Sequence, residues 1–287
     1  MERKLNYWNR LLVLPLIQIV MRYAVLLPTT QAIGVEMQLS NTTFFCIVVS
    51  TLMISAVITR YETGLYHSII SAIGIITGGY IIMKIVTPKL ALAYIMLVIM
   101  IWLYCYAYKR QFLIGNIYIA MFTAFTPLTV LLELPLIYSV YGHYLLTVDM
   151  DLNYVVYWCI ALLVFTFLTV LSHEIIEDTE EFENDEVTEE SKSLPFVMGA
   201  TFAKWTVIGI NTANIIYICV LFYIFLYQTV GLFSYISPFL IVATLILANF
   251  KVHKAIEGND YKIAKNILKC VLLAGCIYTA VIAGRLM

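Results

Sequence analysis

Long apolar runs separated by short polar stretches make up most of the chain. A helix needs about 20 apolar residues to cross the hydrocarbon core of a bilayer, and about nine runs are long enough. The predicted spans lie near residues 10–28, 42–60, 64–86, 90–108, 112–140, 152–173, 203–227, 233–250 and 264–285. This pattern predicts an all-α, polytopic membrane bundle of about nine transmembrane helices.

Prolines lie near the ends of some predicted spans and predict kinks inside another. Pro28 and Pro238 lie near predicted span ends, where a missing amide donor costs little. Pro127 and Pro135 lie inside the fifth predicted span, where each is expected to kink the helix. Such kinks are tolerated when neighbouring side chains satisfy the carbonyl groups that lose their donor.

The composition supports a membrane protein and excludes a nucleic-acid-binding one. Hydrophobic residues make up 62% of the chain and charged residues 12%, with a mean hydropathy of +0.91. The first apolar run begins after Arg10 and is expected to be a retained membrane helix rather than a cleaved signal peptide. No basic stripe is present. Because no linker rich in Pro, Gly or Ser divides the chain, a single membrane-embedded domain over residues 1–287 is expected.

The placement of basic residues predicts the orientation in the membrane. Cytoplasmic loops carry an excess of Lys and Arg. A cytoplasmic N-terminus places most of the 17 Lys and Arg residues on the inner side: Arg3, Lys4, Arg10, Arg60, Lys109, Arg110, Lys192, Lys204, Lys251, Lys254, Lys262, Lys265 and Lys269. The N-terminus and the acidic segment described next are therefore both expected in the cytoplasm.

One acidic segment stands out in this apolar chain. Ten of the 18 acidic residues lie between Glu174 and Glu190, with no Lys or Arg among them. If the first part is helical, Glu174, Asp178, Glu181 and Asp185 share one helix face. Carboxylates stacked in this way repel one another unless a cation or solvent compensates. Two interpretations stay open: a divalent cation site that holds a diphosphate through Mg²⁺, or a solvated acidic loop.

A basic pair is the second candidate for chemistry. Lys109 and Arg110 follow three tyrosines at a predicted inner membrane edge, and Asn116 lies a few residues beyond. Basic residues flanked by aromatic ones are common membrane-edge anchors. On the same side as a carboxylate cluster they are also suited to gripping phosphate oxygens, and Lys192 can join them.

Several polar residues lie inside the predicted spans. Arg22 and Glu133 are costly in lipid and are therefore expected to face the bundle interior. Asn211 and Asn214 share a face of the seventh predicted helix. Structural hydrogen bonding is the favoured role for all four, ahead of substrate contact.

The segment HEIIEDTEEFENDEVTEESKSLPFVMG, which starts at His173, resembles the second aspartate-rich motif of UbiA-type intramembrane prenyltransferases. That motif typically begins REIIKD, continues with two further acids and ends with a basic residue before Leu-Pro. On this resemblance Asp178, Glu181 and Asp185 are the motif's acids and Lys192 is its basic residue. The segment YKRQFLIGN similarly resembles the family's stretch after the fourth helix, which makes Lys109, Arg110 and Asn116 its counterparts.

The resemblance implies an Mg²⁺-dependent enzyme that transfers a prenyl group from a polyprenyl diphosphate to a small acceptor, a lipid or an aromatic compound, within the membrane. It implies that Asp178, Glu181 and Asp185 are the catalytic residues and hold the metal. It also implies that Lys109, Arg110, Lys192 and Asn116 bind the diphosphate.

The chain departs from the family where the first aspartate-rich motif is expected. The sequence there is AVITRYETGLYHSIIS, and Glu62 is its one carboxylate. Arg60 is a candidate for direct contact with phosphate and Glu62 for metal ligation. In the second motif, His173, Glu177 and Asn184 replace the usual Arg, Lys and Gly. Losing a principal electrostatic contributor costs on the order of 10²–10³ in rate. A catalytically impaired descendant that binds an isoprenoid or a protein partner is therefore the alternative function.

Overall fold

The computed structural model describes residues 13–58, 65–86, 92, 94–95, 99, 112–148, 152–184, 193–226, 232–256 and 258–283. Its α-helices are α1 (Val13–Ile33), α2 (Asn41–Ile58), α3 (Leu65–Ile81), α4 (Ile114–Phe125), α5 (Glu133–Val148), α6 (Asn153–Glu183), the short α7 (Leu194–Met198), α8 (Ala200–Leu221), α9 (Leu232–Lys254) and α10 (Gly258–Ala283).

Every described helix except the short α7 overlaps a predicted span, although several helix ends differ from the predicted ones. Six helical stretches in the described part of the chain are long and apolar enough to cross a membrane, and two shorter apolar helices lie within α2 and around α3. The described residues of the fourth predicted span, at positions 92, 94, 95 and 99, are also helical. The predicted all-α membrane bundle of about nine helices is therefore confirmed, and the chain is an integral membrane protein.

Irregular turns accommodate two of the prolines. A π-helical turn over Met21–Leu26 precedes Pro28, and α1 continues past this proline to end before Gly34. Gly34 has a φ of +78°, the left-handed conformation common at helix ends. A 3₁₀ segment, Thr126–Leu132, contains Pro127 near its start and joins α4 to α5. The first span therefore ends later than Pro28 predicts, because the π turn absorbs the misfit of the proline.

Helix α6 lies at the centre of the packing. It contacts α4, α8 and α10, while α10 also packs on α9. Its buried positions include Val155, Cys159, Leu162 and Ile175, which belong to the main hydrophobic core. The position of α6 therefore sets where its acidic C-terminal end lies relative to three other helices.

A buried ion pair connects α1 to α5. Arg22 donates from Nη1 to Oε2 of Glu133 at 3.0 Å, and each residue is 1% exposed. The other oxygen, Oε1, accepts the backbone amides of Gln38 at 2.5 Å and Leu39 at 2.6 Å. The Arg22 guanidinium also donates to the Leu39 carbonyl at 2.5 Å and lies 4.5 Å from the centre of the Phe44 ring. The expectation that both charges face the interior is confirmed.

The two interior asparagines join α8 to its neighbours. Asn211 donates to the side-chain oxygen of Asn249 in α9 at 2.8 Å. Asn214 donates to Oγ1 of Thr169 in α6 at 2.9 Å. Both asparagines are fully buried. These contacts fit the structural role predicted for them, since amide groups between membrane helices hold the helices in register.

Candidate functional site

Helix α6 continues beyond the predicted membrane span and carries the first part of the acidic segment. The span predicted to end near residue 173 extends to Glu183, so positions 174–183 are helical. His173 and Glu174 are buried, at 7% and 6% exposed, whereas Asp178 and Glu181 are half-buried. The C-terminal end of a helix carries a partial negative charge, and acidic side chains there are unfavourable unless cations lie nearby.

The acidic side chains of α6 divide between two faces. Successive residues on a helix are rotated by about 100°, so neighbours in sequence point in different directions. Glu174, Asp178 and Glu181 follow one another at steps of four and three along one face. Glu177 and Glu180 lie three residues apart on the adjacent face. The two faces contact different helices.

The first face meets the start of α4. Asn116 donates from its side-chain nitrogen to Oδ2 of Asp178 at 2.8 Å, across 62 positions of sequence. Asn116 is 8% exposed and lies in the first turn of α4, just after Leu113, whose φ of +52° is uncommon for a residue with a side chain. The contact holds one carboxylate oxygen of Asp178 in a fixed direction.

The second face meets α10. The Lys265 ammonium group lies 3.8 Å from Oε1 of Glu177 and forms a short hydrogen bond with Oε2 of Glu180. The lysine side chain is 4% exposed, against 22% for Glu177 and 16% for Glu180. This ion-paired contact joins the acidic end of α6 to α10.

Ligand-type atoms from both faces also lie close together near residues 173–177 of α6. One nitrogen of His173 and one oxygen each from Glu174 and Glu177 lie within 4.8 Å of one another. The His173 Nδ1 atom is 3.3 Å from Oε1 of Glu174. A set of this size and chemistry can hold a divalent cation. In the sequence, His173 stands where the resembled motif has an arginine, and its spacing of four from Glu177 is the signal for a pair of ligand-type side chains.

Other contacts bring further helix ends to the acidic end of α6. Phe182 packs edge-to-face against Phe196 of α7, with ring centres 6.5 Å apart. The Asn184 side chain lies so close to Gly258, the first residue of α10, that a Cβ atom there would be 2.0 Å from its Oδ1. The acidic end of α6, α7 and the start of α10 therefore lie at the same end of the bundle.

The structure brings together two of the predicted site residues, Asp178 and Asn116, and places Glu181 on the face of Asp178. The remaining predicted site residues lie outside the described part of the chain: Arg60, Glu62, Lys109, Arg110, Asp185 and Lys192. Their roles stay predictions.

The chain is similar to known proteins in both sequence and fold. Over 217 residues, 27% are identical to the digeranylgeranylglyceryl phosphate synthase of Methanosphaera stadtmanae, which covers 74% of this chain and 69% of that relative. The structure is also similar to the apo structure of a UbiA homolog from Aeropyrum pernix K1, with a TM-score of 0.64, 11% identity and coverage of 93% and 95% of the two chains. The resemblance to the UbiA-type prenyltransferases is confirmed.

Two further solved structures share the UbiA fold. A digeranylgeranylglyceryl phosphate synthase gives a TM-score of 0.62 at 16% identity, covering 96% of this chain and 99% of that one. A UbiA homolog from Archaeoglobus fulgidus bound to DMAPP and Mg²⁺ gives 0.51 at 12% identity, with the same coverage. No family model matches the chain. The chain therefore differs from these proteins strongly in sequence and much less in fold.

The residues present suit the divalent cation bound by that UbiA homolog. Asp178 and Glu181 offer hard carboxylate oxygens on one face of the α6 end, and Asn116 orients one of them. The helix end adds negative potential. The donor set of the first face therefore fits Mg²⁺, which prefers oxygen ligands and binds through one or two carboxylates plus substrate phosphates.

Proposed function

We propose that this protein is a membrane prenyltransferase that transfers a polyprenyl group from a diphosphate donor to a small lipid or aromatic acceptor. Asp178, Glu181 and Asp185 would hold Mg²⁺, with Glu62 as a further ligand. Lys109, Arg110, Lys192, Arg60 and Asn116 would bind the diphosphate. The acidic end of α6 would face the cytoplasm.

The hydrogen bond from Asn116 to Asp178 is the observation that carries this proposal. It joins the two segments that resemble family motifs, at a distance of 2.8 Å and across helices α4 and α6. The basic pair Lys109 and Arg110 precedes Asn116 by only a few residues. Contact between the motif segments supports a site in which carboxylates and phosphate-binding groups act on one substrate.

The chemistry follows from the charges. When bound, Mg²⁺ would neutralise negative charge that builds on the departing diphosphate. The side chains of Lys109, Arg110 and Lys192 would add charge-assisted hydrogen bonds to the phosphate oxygens. An apolar surrounding would keep water away from the reactive prenyl group. The chain itself therefore supplies binding, orientation and exclusion of water.

The donor is best sought among geranylgeranyl compounds, because the relative in Methanosphaera stadtmanae is named for a digeranylgeranyl product. The acceptor of this chain is proposed only as a class.

A second candidate function is that of a UbiA-like protein that binds an isoprenoid, or a protein partner, without efficient turnover. The sequence at the position of the first aspartate-rich motif favours it, since Glu62 is the one carboxylate there. Loss of one principal electrostatic contributor costs about 10²–10³ in rate. Binding without turnover is the expected behaviour of such a protein.

Binding of a non-hydrolysable geranylgeranyl diphosphate analogue to the purified full chain tests both functions. Binding that requires Mg²⁺ and is lost in Asp178→Ala, together with diphosphate release from the genuine substrate, supports the enzyme. Binding without diphosphate release supports the second candidate. Absence of binding to the folded wild-type protein overturns both.

Asn116→Leu tests the observation that carries the proposal. A hydrogen bond to a charged group contributes about 1.5–3 kcal/mol, and the half-buried Asp178 is expected to lie near the lower value. Analogue binding in the presence of Mg²⁺ should therefore weaken about tenfold. Unchanged affinity in a folded Asn116→Leu protein would contradict a role for this contact in substrate binding.

A further inference from the structure

A cluster of basic and aromatic side chains lies where α8 begins and α9 ends. The Trp205 ring of α8 packs edge-on against the His253 ring of α9, with ring centres 5.6 Å apart. The Lys254 ammonium group lies 4.3 Å from the centre of the Phe250 ring, one turn earlier on α9. The membrane-capable part of α9 ends at Lys254. The cluster therefore lies at a membrane edge, where lipid headgroups meet the apolar chains.

The cluster is exposed on the outside of the bundle. Trp205 is 59% exposed and Phe250 is 51% exposed, so both rings form part of the outer surface. Lys251, His253 and Lys254 are exposed as well. None of these three forms an ion pair with a residue that the structure describes. The surface therefore combines uncompensated positive charge with exposed aromatic rings.

The end of α9 does not need all of this charge. The last turn of a helix carries a partial negative charge, which cations stabilise. Lys204 of α8 already serves this end, because its ammonium group donates to the Ala255 carbonyl and lies 5.5 Å from the centre of the Tyr261 ring. Lys251 and Lys254 add two further charges on the exposed surface. These two ammonium groups can therefore bind an anion from outside the protein.

A notch in α8 lies on the same side of that helix as Trp205. Gly209 is exposed, and no side chain that the structure describes lies within 4 Å of the position that its Cβ atom would occupy. Gly209 follows Trp205 by four residues, so it shares the face of Trp205 and lies about 6 Å deeper in the membrane. Small residues let apolar groups approach a membrane helix closely. The notch is therefore suited to one apolar lipid chain.

We propose that this surface binds one anionic phospholipid. Lys251 and Lys254 hold its phosphate group, and one of its chains lies in the notch at Gly209, beneath the Trp205 ring. Lysines at a membrane edge attract anionic headgroups, and tryptophan favours the headgroup boundary. A soluble acidic partner would match the lysines but not a notch that opens within the membrane-spanning part of α8. The site is separate from the Asp178 face of α6 and does not rest on the proposed function.

Quenching of Trp205 fluorescence by brominated lipids tests the proposal. The full chain is reconstituted in phosphatidylcholine vesicles, with Trp205 as its single tryptophan after phenylalanine replaces Trp8, Trp102 and Trp158. Dibrominated phosphatidylglycerol is compared with dibrominated phosphatidylcholine as the quencher. Each lysine near a membrane surface strengthens the attraction of anionic lipid by about fivefold. Phosphatidylglycerol should therefore be favoured at Trp205 by at least about fivefold.

The double variant Lys251→Gln with Lys254→Gln should lose this preference. The matched control is a protein whose single tryptophan is Trp158, which lies near the start of α6, at the opposite end of that helix from its acidic residues. Trp158 should report no preference between the two lipids. Equal quenching of Trp205 by the two lipids would overturn the proposal. A preference that survives both lysine substitutions, or one that is equally large at Trp158, would overturn it too.

Gly209→Leu tests the position of the lipid chain. The leucine side chain fills the notch, so the additional quenching of Trp205 by phosphatidylglycerol should be lost. Gly142→Leu is the control, because Gly142 in α5 likewise has no described side chain within 4 Å of its Cβ position. Its quenching should match that of the unsubstituted Trp205 protein. Unchanged quenching in a folded Gly209→Leu protein would overturn the proposed position of the chain.

Native mass spectrometry covers the case in which the protein with a single tryptophan fails to fold. The wild-type chain and the Lys251→Gln, Lys254→Gln double variant are each purified in detergent and incubated with phosphatidylglycerol. The wild-type chain should retain about one more phosphatidylglycerol molecule than the variant, as two lysines hold the headgroup. Equal retention by the two proteins would overturn the proposal.

Discussion

The buried Arg22–Glu133 pair offers the most direct test of how the bundle is held together. The test substitution is Glu133→Gln, which keeps the side-chain shape and removes the charge. Glu133 accepts three hydrogen bonds through two oxygens, one from Arg22 and two from the backbone amides of Gln38 and Leu39. Glutamine offers one acceptor oxygen, so its amide group faces at least one donor in either orientation.

The expected magnitude follows from burial. Arg22 and Glu133 are each 1% exposed, so the guanidinium of the variant stays buried without its counter-ion. Breaking a buried pair by removing one partner costs about 3–5 kcal/mol. At about 2–4 °C per kcal/mol for a chain of a few hundred residues, the melting temperature should fall by roughly 10 °C.

Thermal unfolding in detergent, followed by far-ultraviolet circular dichroism, measures this shift. Glu36→Gln is the matched control, because Glu36 lies in the linker between α1 and α2 that Glu133 contacts, but is exposed. Its substitution should change stability by less than about 0.5 kcal/mol. The double variant Arg22→Met with Glu133→Gln should be less destabilised than the sum of the single variants, since it leaves no unpaired charge.

Two results would refute the reasoning. One is a melting temperature of Glu133→Gln that matches that of Glu36→Gln. The other is additivity of the Arg22→Met and Glu133→Gln effects, because residues that stabilise each other as a pair must show coupling. Either result would mean that the linker between α1 and α2 is held by its apolar contacts instead.

Two alanine substitutions in α10 should differ in their effect on stability. Gly275→Ala places a Cβ atom 2.2 Å from Cε1 of the buried Phe165 ring, and overpacking of this kind should destabilise the protein by about 1–3 kcal/mol in the same melting experiment. Gly258→Ala meets the exposed end of Asn184, which can swing into solvent, so a change within about 1 kcal/mol is expected. Equal effects of the two substitutions would contradict the packing described for this helix.

Hydropathy predicts the helices of this protein well because the formation of each span depends on its own sequence alone. A stretch of about 20 apolar residues must hydrogen-bond its own backbone in a bilayer, whatever its neighbours are. One error lies at a proline. Pro28 predicts an end for α1, but a π-helical turn over Met21–Leu26 carries the helix on to Ile33. Such a turn is not encoded by a recognisable local pattern.

The sequence predicts which acidic residues of the candidate site share a helix face, but not which helices they contact. Periodicity places Glu174, Asp178 and Glu181 on one face, and the structure bears this out. Periodicity does not show which helix meets which face. The partner of Asp178 is 62 positions away, and Lys265 is 85 positions from Glu180. Such pairings depend on the packing of α6 between α4 and α10.

The two faces at the acidic end of α6 differ in how their negative charges are compensated. Six acidic residues lie between positions 174 and 183, at the negative end of a helix dipole. On the second face, the positive charge of Lys265 compensates the carboxylates of Glu177 and Glu180. A permanent ammonium group there cannot exchange or bridge to a phosphate as a metal ion does. On the proposed function, the first face, with Asp178 held by Asn116, would carry the carboxylates available to an exchangeable cation and its diphosphate. Glu177 stands where the UbiA-type motif that this segment resembles has a lysine, and Lys265 of α10 supplies a basic group beside it.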